Sequence, residues 1–331
     1  MVDKFRSSST EPSCPPVSVI VPIYNGERDV PELISCLQGQ TYPREKVEYL
    51  LVDNNSGDRT FELLKNIARE REFPLRPLSQ NEIQSSYAAR NTGIRAARHG
   101  LLAFTDADCR PEPTWLENLV KPFQKSEVGL VAGEVKALPP ETFLERYAER
   151  HKILSQTYTL EHPFCPYGQT ANLAVRREAF VKVGLFRPYL TTGGDADMCW
   201  RILRQTDWTL EFAETAIVRH RHRATWEELY KQWRRYGQSN RYLHELHGVE
   251  LKPDKSAAAR LKQIARWMLK ELPRDSAKLL GGRTTLVDLL TPPITMYIMR
   301  ARSLGQAEAQ LPDLARQIEW LEKSPSTETP L

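Results

Sequence analysis

Residues 101–108 read Leu-Leu-Ala-Phe-Thr-Asp-Ala-Asp, an apolar stretch that ends abruptly in two carboxylates separated by one alanine. The apolar part is typical of a buried β-strand, and Asp106 and Asp108 follow where that strand would end. Two carboxylates so placed can converge on one divalent cation and the diphosphate it neutralises, and hard oxygen ligands suit Mg²⁺ or Mn²⁺. Taken alone, the motif also fits a solvated turn that caps the next helix.

The stretches before residue 101 alternate between strand and helix patterns. Short apolar runs predict strands at 17–21, 47–52 and, more weakly, 75–78. Helices are predicted over 30–37, where apolar residues recur at helical spacing, and over 60–69 and 87–98. This order predicts an α/β fold with a parallel sheet covered by helices on both faces.

Polar side chains follow the predicted strands. Asn25 comes after the first strand and Asp53 after the second, while Asp106 and Asp108 follow the strand at 101–105. Parallel sheets bind ligands at the carboxyl ends of their strands, near the point where the strand order reverses. Since Gly, Asn or Ser would serve a plain turn, the recurrence of carboxylates at one edge favours a binding site.

Composition narrows the class of protein. The net charge of +4 is the difference between 46 basic and 42 acidic residues, too small an excess to indicate a nucleic-acid partner. The five cysteines form no closely spaced pairs, which predicts a reducing cytoplasm without disulfides or structural zinc. No apolar run approaches the roughly 20 residues that span a bilayer. The polar, proline-rich residues 1–16 predict a disordered lead-in rather than a secretory signal, and 324–331 predict a frayed tail.

Seven segments, taken together and in order, resemble the family-2 inverting glycosyltransferases with the GT-A fold, of the non-processive type. They are VSVIVPIYN (17–25), VDNNSGD (52–58), ARNTG (89–93), DAD (106–108), GQTANLAVRR (168–177), VGLF (183–186) and GGDAD (193–197). The resemblance implies a Rossmann-like, mostly parallel sheet flanked by helices over 17–240. It also implies a nucleotide-binding half at 17–125, an acceptor half at 126–240, and a helical C-terminal extension at 241–331.

By this resemblance, the donor is a nucleotide diphosphate sugar. Pro22, Tyr24 and Asn25 would line the nucleotide pocket, and Asp53 would bind the base, typically uracil, whose imide N–H a carboxylate can accept. Residues similar to Arg90 and Asn91 approach the nucleotide or diphosphate in the family, although an arginine on a helix can equally be solvated. Asp108 would ligate the metal directly, with Asp106 near the ribose and a metal-bound water. For Asp53 the alternative is a turn-forming role.

The resemblance also implies a catalytic base for the acceptor hydroxyl at the start of a helix. The family usually has Glu-Asp there, whereas this chain has Gly194 and Asp195. We therefore expect Asp195 to be the base, with Asp197 as a helper or as the base itself. The alternative is that both acids only stabilise the first turn of a helix.

Two basic segments follow. His220 and His222 follow an apolar run at 216–218. On an extended segment both imidazoles would face one side, so either could complete the metal site. His220 is preferred because it lies closer to the end of the strand. In the segment 232–237, Arg234 or Arg235 could clamp the diphosphate. The alternatives are a structural histidine pair and an amphipathic helix with a solvated basic face.

The C-terminal residues 255–310 predict basic, aromatic helices, which either pack on the catalytic domain or lie on a membrane surface near a lipid-linked acceptor. The leading hypothesis is therefore a cytoplasmic enzyme, with a possible place at the inner membrane face, that moves a hexose from a nucleotide sugar, UDP-sugar favoured, to a hydroxyl with Mn²⁺ or Mg²⁺. A catalytically impaired sugar-nucleotide-binding protein is the alternative, motivated by Gly194. A sugar nucleotidyltransferase fits less well, because 22–27 lack a glycine-rich, basic phosphate loop.

Overall fold

The computed structural model describes residues 14–69 and 73–321, built around one eight-stranded sheet. Most of the predicted lead-in (1–13) and the predicted frayed tail (324–331) lie outside the described residues. The strands are β1 (Val17–Ile23), β2 (Val47–Asp53), β3 (Leu75–Ser79), β4 (Leu101–Thr105), β5 (Cys109–Pro111), β6 (Val128–Ala137), β7 (Asn172–Arg176) and β8 (Thr209–His220). Their spatial order is β3-β2-β1-β4-β7-β6-β8-β5.

The helices before β4 alternate with the strands, as the sequence predicts, and further helices follow later in the chain. The helices are α1 (Val30–Gln38), α2 (Thr60–Arg69), α3 (Ser86–Ala96), α4 (Trp115–Val120), α5 (Phe143–Arg150), α6 (Thr157–Leu160), α7 (Arg177–Val183), α8 (Gly194–Gln205), α9 (Trp226–His247), α10 (Ala257–Arg266), α11 (Leu272–Leu280) and α12 (Leu286–Glu308). None of the described helices combines the length and hydropathy that crossing a bilayer requires.

The first half of the sheet is parallel, as the β-α-β order predicts. Strand β1 lies between β2 and β4, and its last residue, Ile23, is paired with Asp53. Strands β1 and β2 are buried along their whole length, since helices cover both faces. Helix α3 approaches β1 closely because Gly93 has no side chain: a Cβ there would lie 2.5 Å from Ile20.

The second half is mixed. Strand β7 runs antiparallel to both β4 and β6, and β5 runs antiparallel to β8. Thr105 at the end of β4 is paired with Asn172 at the start of β7. The carboxyl ends of β1, β2 and β4 therefore meet the amino end of β7 at one edge. The α/β class is as predicted, while the parallel order is confined to β1–β4 and to the β6–β8 pair.

The predicted domain boundary at residue 240 falls inside α9, which continues to His247. Helix α9 packs along α12, and the two backbones come so close that a Cβ on Gly237 would lie 2.0 Å from the Arg302 carbonyl oxygen. The chain after α12 then returns to the main core, where Leu311, Ala315 and Leu321 are buried. Helices α9 and α12 and the segment 311–321 thus pack on the body, whereas no residue of 257–280 is buried.

Candidate active site

The turns after β1 and β2 are tied to each other. Asn25 adopts φ 50°, in the left-handed region that asparagine tolerates. Its side-chain oxygen accepts a hydrogen bond from Gly57 N at 2.8 Å, and its backbone N donates to Ser56 Oγ at 2.9 Å. Tyr24 beside it is 57% exposed, while Pro22 is buried inside β1. Asn25 therefore shapes the turn, and Tyr24 offers its ring to whatever binds there.

Asp53 is buried at the end of β2, with one oxygen unused. Its Oδ2 accepts a hydrogen bond from Ser56 N at 3.3 Å. Its Oδ1 is buried and has no hydrogen-bond partner among the residues that the structure describes. A buried acceptor without a donor costs about 1–3 kcal/mol. The position therefore fits a ligand that brings an N–H group.

Arg90 and Asn91 are neighbours on α3 but point to different places. Arg90 Nη2 donates to Asp106 Oδ1 across 2.5 Å, and its guanidinium lies 5.6 Å from the ring centre of Tyr87. Asn91 instead donates to the Phe186 carbonyl at 2.8 Å and to Glu319 at 3.0 Å. The described contacts of Asn91 do not favour the predicted approach to the nucleotide. Its amide instead joins α3 to the C-terminal segment.

Asp108 and His220 meet where β5 pairs with β8. Cys109 is opposite His220 in the register of these strands, which brings Asp108 Oδ2 to 3.0 Å from His220 Nε2. One ligand atom each from Asp108, Cys109 and His220 lies within 4.8 Å of the others. Burial opposes ionisation of Asp108, yet its pKa lies below the ordinary value because His220, and then Arg223, favour the carboxylate. Burial, then Asp108 and Asp106, raise the pKa of the Cys109 thiol, so it stays protonated.

A carboxylate oxygen and an imidazole nitrogen are suitable donors for Mn²⁺, and His220 Nδ1 has no other partner among the described residues. His222 contributes no ligand atom to this group of three. Strand β8 ends at His220, so the alternation that would turn both imidazoles to one side does not extend to His222. Burial, then His220, lower the pKa of His222 to about 4. The structure thus brings Cys109, and not His222, beside Asp108 and His220.

Asp195 lies in the first turn of α8, held by the loop before β7. Its Oδ1 accepts a hydrogen bond from Thr170 Oγ1 at 2.9 Å, and its Oδ2 accepts one from Thr170 N at 3.3 Å. Burial raises the pKa of Asp195 above its ordinary value, and nearby Asp106 raises it further, against the opposing charge of Arg90. A carboxyl group with a raised pKa is a better proton acceptor than an exposed aspartate.

Asp197, the predicted helper or alternative base, lies in a different environment. Its Oδ1 is 3.0 Å from both Arg187 Nε and His247 Nε2, and its Oδ2 is 3.0 Å from Arg201 Nη2. The carboxylate is fully buried, but these partners, His247 first, lower its pKa to about 2. Both oxygens are occupied and the proton affinity is low. Asp197 therefore stabilises the fold and is unsuited to act as a base.

Tyr87 explains the glycine that replaces the glutamate of the family pattern. Gly194 N donates to the Tyr87 hydroxyl at 2.9 Å, and a Cβ on Gly194 would lie 2.6 Å from the tyrosine ring. Tyr87 thus occupies the space of a side chain at position 194. Sequence reasoning missed Tyr87, Thr170 and Cys109, although Thr170 lies in the conspicuous segment 168–177 and Cys109 directly follows Asp108.

The two candidate arginines of α9 diverge. Arg234 forms an ion pair with Glu308 of α12, and its carbonyl oxygen faces Gly305. Arg235 is exposed, and its charge acts on the hydroxyls of Tyr87 and Tyr236. Among the described residues, Arg234 is thus held by an ion pair, whereas Arg235 forms none.

Comparison with known proteins tests the resemblance. The family model for glycosyl transferase family 2 matches residues 18–184, which is half of the chain. The chain belongs to this family. Glycosyl transferase family 2 was the predicted family, and that prediction is confirmed.

Relatives of this glycosyltransferase carry related names. Glycosyltransferase AglE of Haloferax volcanii is 37% identical over 224 residues, which are 66% of this chain and 71% of that protein. The pre-mycofactocin glycosyltransferase of Mycobacterium tuberculosis is 28% identical over 74% of this chain, which spans 50% of that relative. The solved mannosyltransferase PcManGT from Pyrobaculum calidifontis, in complex with GDP-Man and Mn²⁺, has a TM-score of 0.61 at 18% identity, covering 89% of this chain and 88% of that one. The last likeness supports the predicted GT-A fold.

Proposed function

We propose that this glycosyltransferase moves a sugar from a nucleotide diphosphate to an acceptor hydroxyl with inversion at the anomeric carbon. The observation that supports this proposal most directly is the contrast between two acids on α8. Asp195 has a raised pKa and, among the described residues, only Thr170 as a hydrogen-bond donor, whereas both oxygens of Asp197 are engaged in ion pairs. A single displacement needs one such base, and general-base catalysis contributes about 10²–10⁴-fold to the rate.

UDP is the favoured nucleotide. In the described part of the chain, one buried oxygen of Asp53 has no hydrogen-bond partner and the other accepts from Ser56 N. Uracil presents a single imide N–H to such an acceptor, whereas guanine has its additional 2-amino donor, which would use a second oxygen. The structural neighbour PcManGT was solved with GDP-Man, so titrations with both UDP and GDP determine the base preference.

Asp108 and His220 would hold Mn²⁺ or Mg²⁺, with Asp106 beside them. When bound, the cation neutralises the charge that develops on the departing diphosphate. Arg90 pairs with Asp106 and so fixes the carboxylate nearest to the ribose position implied by the family pattern. Arg235, exposed on α9, is available to the diphosphate from the other side.

The acceptor is proposed to be lipid-linked and presented at a membrane surface. Residues 257–280 form a nearly continuous helix, with a π-helical turn in its middle, in which no residue is buried. Leu261, Ile264 and Met268, spaced by three and four residues, leave 67%, 41% and 54% of their surfaces exposed. The same stretch carries many cations, among them Arg260, Lys262, Arg266, Lys270, Arg274 and Lys278. Such a basic amphipathic helix suits an anionic lipid surface.

Donor turnover and binding in Asp195→Asn test the proposal. With Mn²⁺ and a panel of nucleotide sugars, wild-type protein should bind a donor and hydrolyse or transfer it. The variant should keep the donor affinity and lose at least about 10²-fold in turnover. Asp207→Asn, an exposed acid just beyond α8, is the matched control. Undiminished turnover in Asp195→Asn would refute the base assignment, and donor binding without turnover in wild-type protein would favour the impaired binding protein.

A further inference from the structure

A cation lies at the crossing of α9 and α12 without an acidic partner. Arg302 of α12 donates from Nη2 to Asn240 Oδ1 at 3.0 Å, and its guanidinium lies 6.0 Å from the ring centre of Trp233. The ion pairs that join α12 to the rest of the described chain use other residues, namely Arg234 with Glu308, Arg150 with Asp288 and Arg300 with Asp254. Within the described ranges, no carboxylate forms a salt bridge with Arg302.

The guanidinium is also incompletely hydrogen-bonded. Arg302 Nε is buried and donates to no acceptor in the described part of the chain. Burial lowers the pKa of Arg302, against the weaker opposing effect of the Tyr167 and Tyr236 hydroxyls. Burying a charged donor without an acceptor costs free energy unless something else supplies the acceptor. An anion bound beside Arg302 would supply the missing acceptor, so the local structure favours a bound anion over an empty site.

Two further groups face the same place. The Lys252 carbonyl oxygen accepts a hydrogen bond at 2.8 Å from Gln306, one turn after Arg302 on α12. The charge of Arg302, and then burial, lower the pKa of Lys252, and burial, then Lys252 and Arg302, lower that of His162. Asp254, two residues after Lys252, pairs with Arg260 and Arg300 instead, and Glu250, two residues before it, forms no salt bridge with Lys252 or Arg302 among the described residues.

Tyr167 connects this cluster to the proposed base. Burial raises the pKa of the Tyr167 hydroxyl, Asp195 raises it further, and Arg302 lowers it. The packing places Arg302 on the same side, because it donates to Asn240 of α9, and a Cβ on Gly193, two residues before Asp195, would lie 2.7 Å from Oγ of the adjacent Ser239. The rings of His162 and Tyr167 are 5.7 Å apart. A molecule that places a hydroxyl at Asp195 can therefore reach Arg302 with another of its groups.

We propose that Arg302 and Lys252 bind a phosphate group of the acceptor substrate. A guanidinium can hold two phosphate oxygens at once, and a lysine adds a second charge. This inference rests on the proposed function, because it takes the hydroxyl at Asp195 to belong to the acceptor. The phosphate can come from a free sugar phosphate or from a lipid phosphate, which share this chemistry.

Calorimetric titration of the full chain, saturated with UDP and Mn²⁺, tests the inference. The probes are inorganic phosphate, geranyl phosphate and geraniol. Wild-type protein should bind geranyl phosphate at least about tenfold more tightly than geraniol, and Arg302→Gln should abolish that preference. Arg302→Lys keeps the charge but loses the bidentate geometry, so it should keep only part of the preference. Arg300→Gln, on the same helix, is the matched control and should bind as wild type does. Equal affinity for inorganic and geranyl phosphate would identify a soluble source, and tighter geranyl phosphate binding a lipid source.

Lys252→Gln provides a second test in case the Arg302 variants misfold, since Lys252 is exposed on a loop. It should weaken geranyl phosphate binding about threefold or more. Geranyl phosphate affinity that is unchanged in both Arg302→Gln and Lys252→Gln, with UDP still bound, would overturn the inference and leave the proposed function intact. Failure of wild-type protein to bind any nucleotide with Mn²⁺ would instead count against the proposed function.

Discussion

His220 Nε2 lies 3.0 Å from Asp108 Oδ2, at the point where the shortest strand of the sheet, β5, pairs with β8. The two residues are 112 positions apart in the sequence. They meet because β8 pairs with β5, the strand that follows the Asp-Ala-Asp turn. The contact joins the early carboxylates to the late histidine. It is the basis of the first prediction.

His220→Asn should weaken Mn²⁺ binding by at least about tenfold, because it removes the only nitrogen donor found beside Asp108 in the described chain. Titration of Mn²⁺ in the presence of UDP, followed by the electron paramagnetic resonance signal of the free ion, measures this. His99→Asn, just before β4 and so at the opposite edge of the sheet, is the control. Equal Mn²⁺ affinity in His220→Asn and wild-type protein would exclude His220 as a ligand.

The pH dependence of turnover should reflect Asp195. The base must be ionised to accept a proton, so kcat/KM falls as the pH falls through its pKa. Burial raises that pKa above the ordinary 3.8, so the decline begins at higher pH than for an exposed aspartate. Thr170→Val removes a hydrogen bond that lowers the pKa and should move the acidic limb upward by up to about one pH unit. Thr170→Ser keeps the hydroxyl and should leave the limb in place, whereas an unmoved limb in Thr170→Val would contradict the assignment.

Asp197→Asn should lower the free energy of unfolding by about 3–5 kcal/mol, because it leaves Arg187 and Arg201 buried without their counter-charge. Urea denaturation followed by circular dichroism measures the loss, with exposed Asp313→Asn as control. Since folding lowers the pKa of Asp197 to about 2, its contribution is present above the ordinary value near 3.8 and is lost as the pH falls toward 2. A variant as stable as wild type at pH 7 would refute the structural role.

Gly194→Glu, which restores the acid of the family pattern, should destabilise the protein by about 1–3 kcal/mol and should not raise activity. The new Cβ would lie 2.6 Å from the Tyr87 ring. Gly100→Glu meets open space within 4 Å and serves as the control. Thermal denaturation compares the two, and the double variant with Tyr87→Ala should recover part of the loss. A stable, more active Gly194→Glu would mean that Tyr87 does not occupy the site of the missing glutamate.

Asp53→Asn should reduce UDP affinity about five- to tenfold, since it replaces a charged acceptor by a neutral one of the same shape. Calorimetry with UDP and GDP, both with Mn²⁺, separates the bases. Loss for UDP alone would support uracil as the natural base, whereas a larger loss for GDP would contradict the proposed preference. Asp207→Asn again controls for a general change of charge.

The fold was accessible from the sequence because its signals are local. Apolar runs at 17–21, 47–52 and 101–105 have strand lengths, and helical spacing between them dictates a parallel arrangement. Asp53 and Asp106 follow strand ends, so their common edge required no knowledge of distant contacts. The antiparallel insertion of β7 between β4 and β6 was not accessible, since pairing between strands about 40–70 residues apart has no local pattern.

By itself, then, the sequence determined the order of the elements, the family and the edge where the acids gather, because period and turn chemistry are properties of neighbouring residues. Only the tertiary structure decided what each side chain does there. Ion-pair partners distinguish Asp197 from Asp195, which are two residues apart. The ring of Tyr87, 107 positions before Gly194, fills the space that a side chain at position 194 would need. Charge and solvation depend on which distant groups pack around a side chain, and that information is spread over the whole chain.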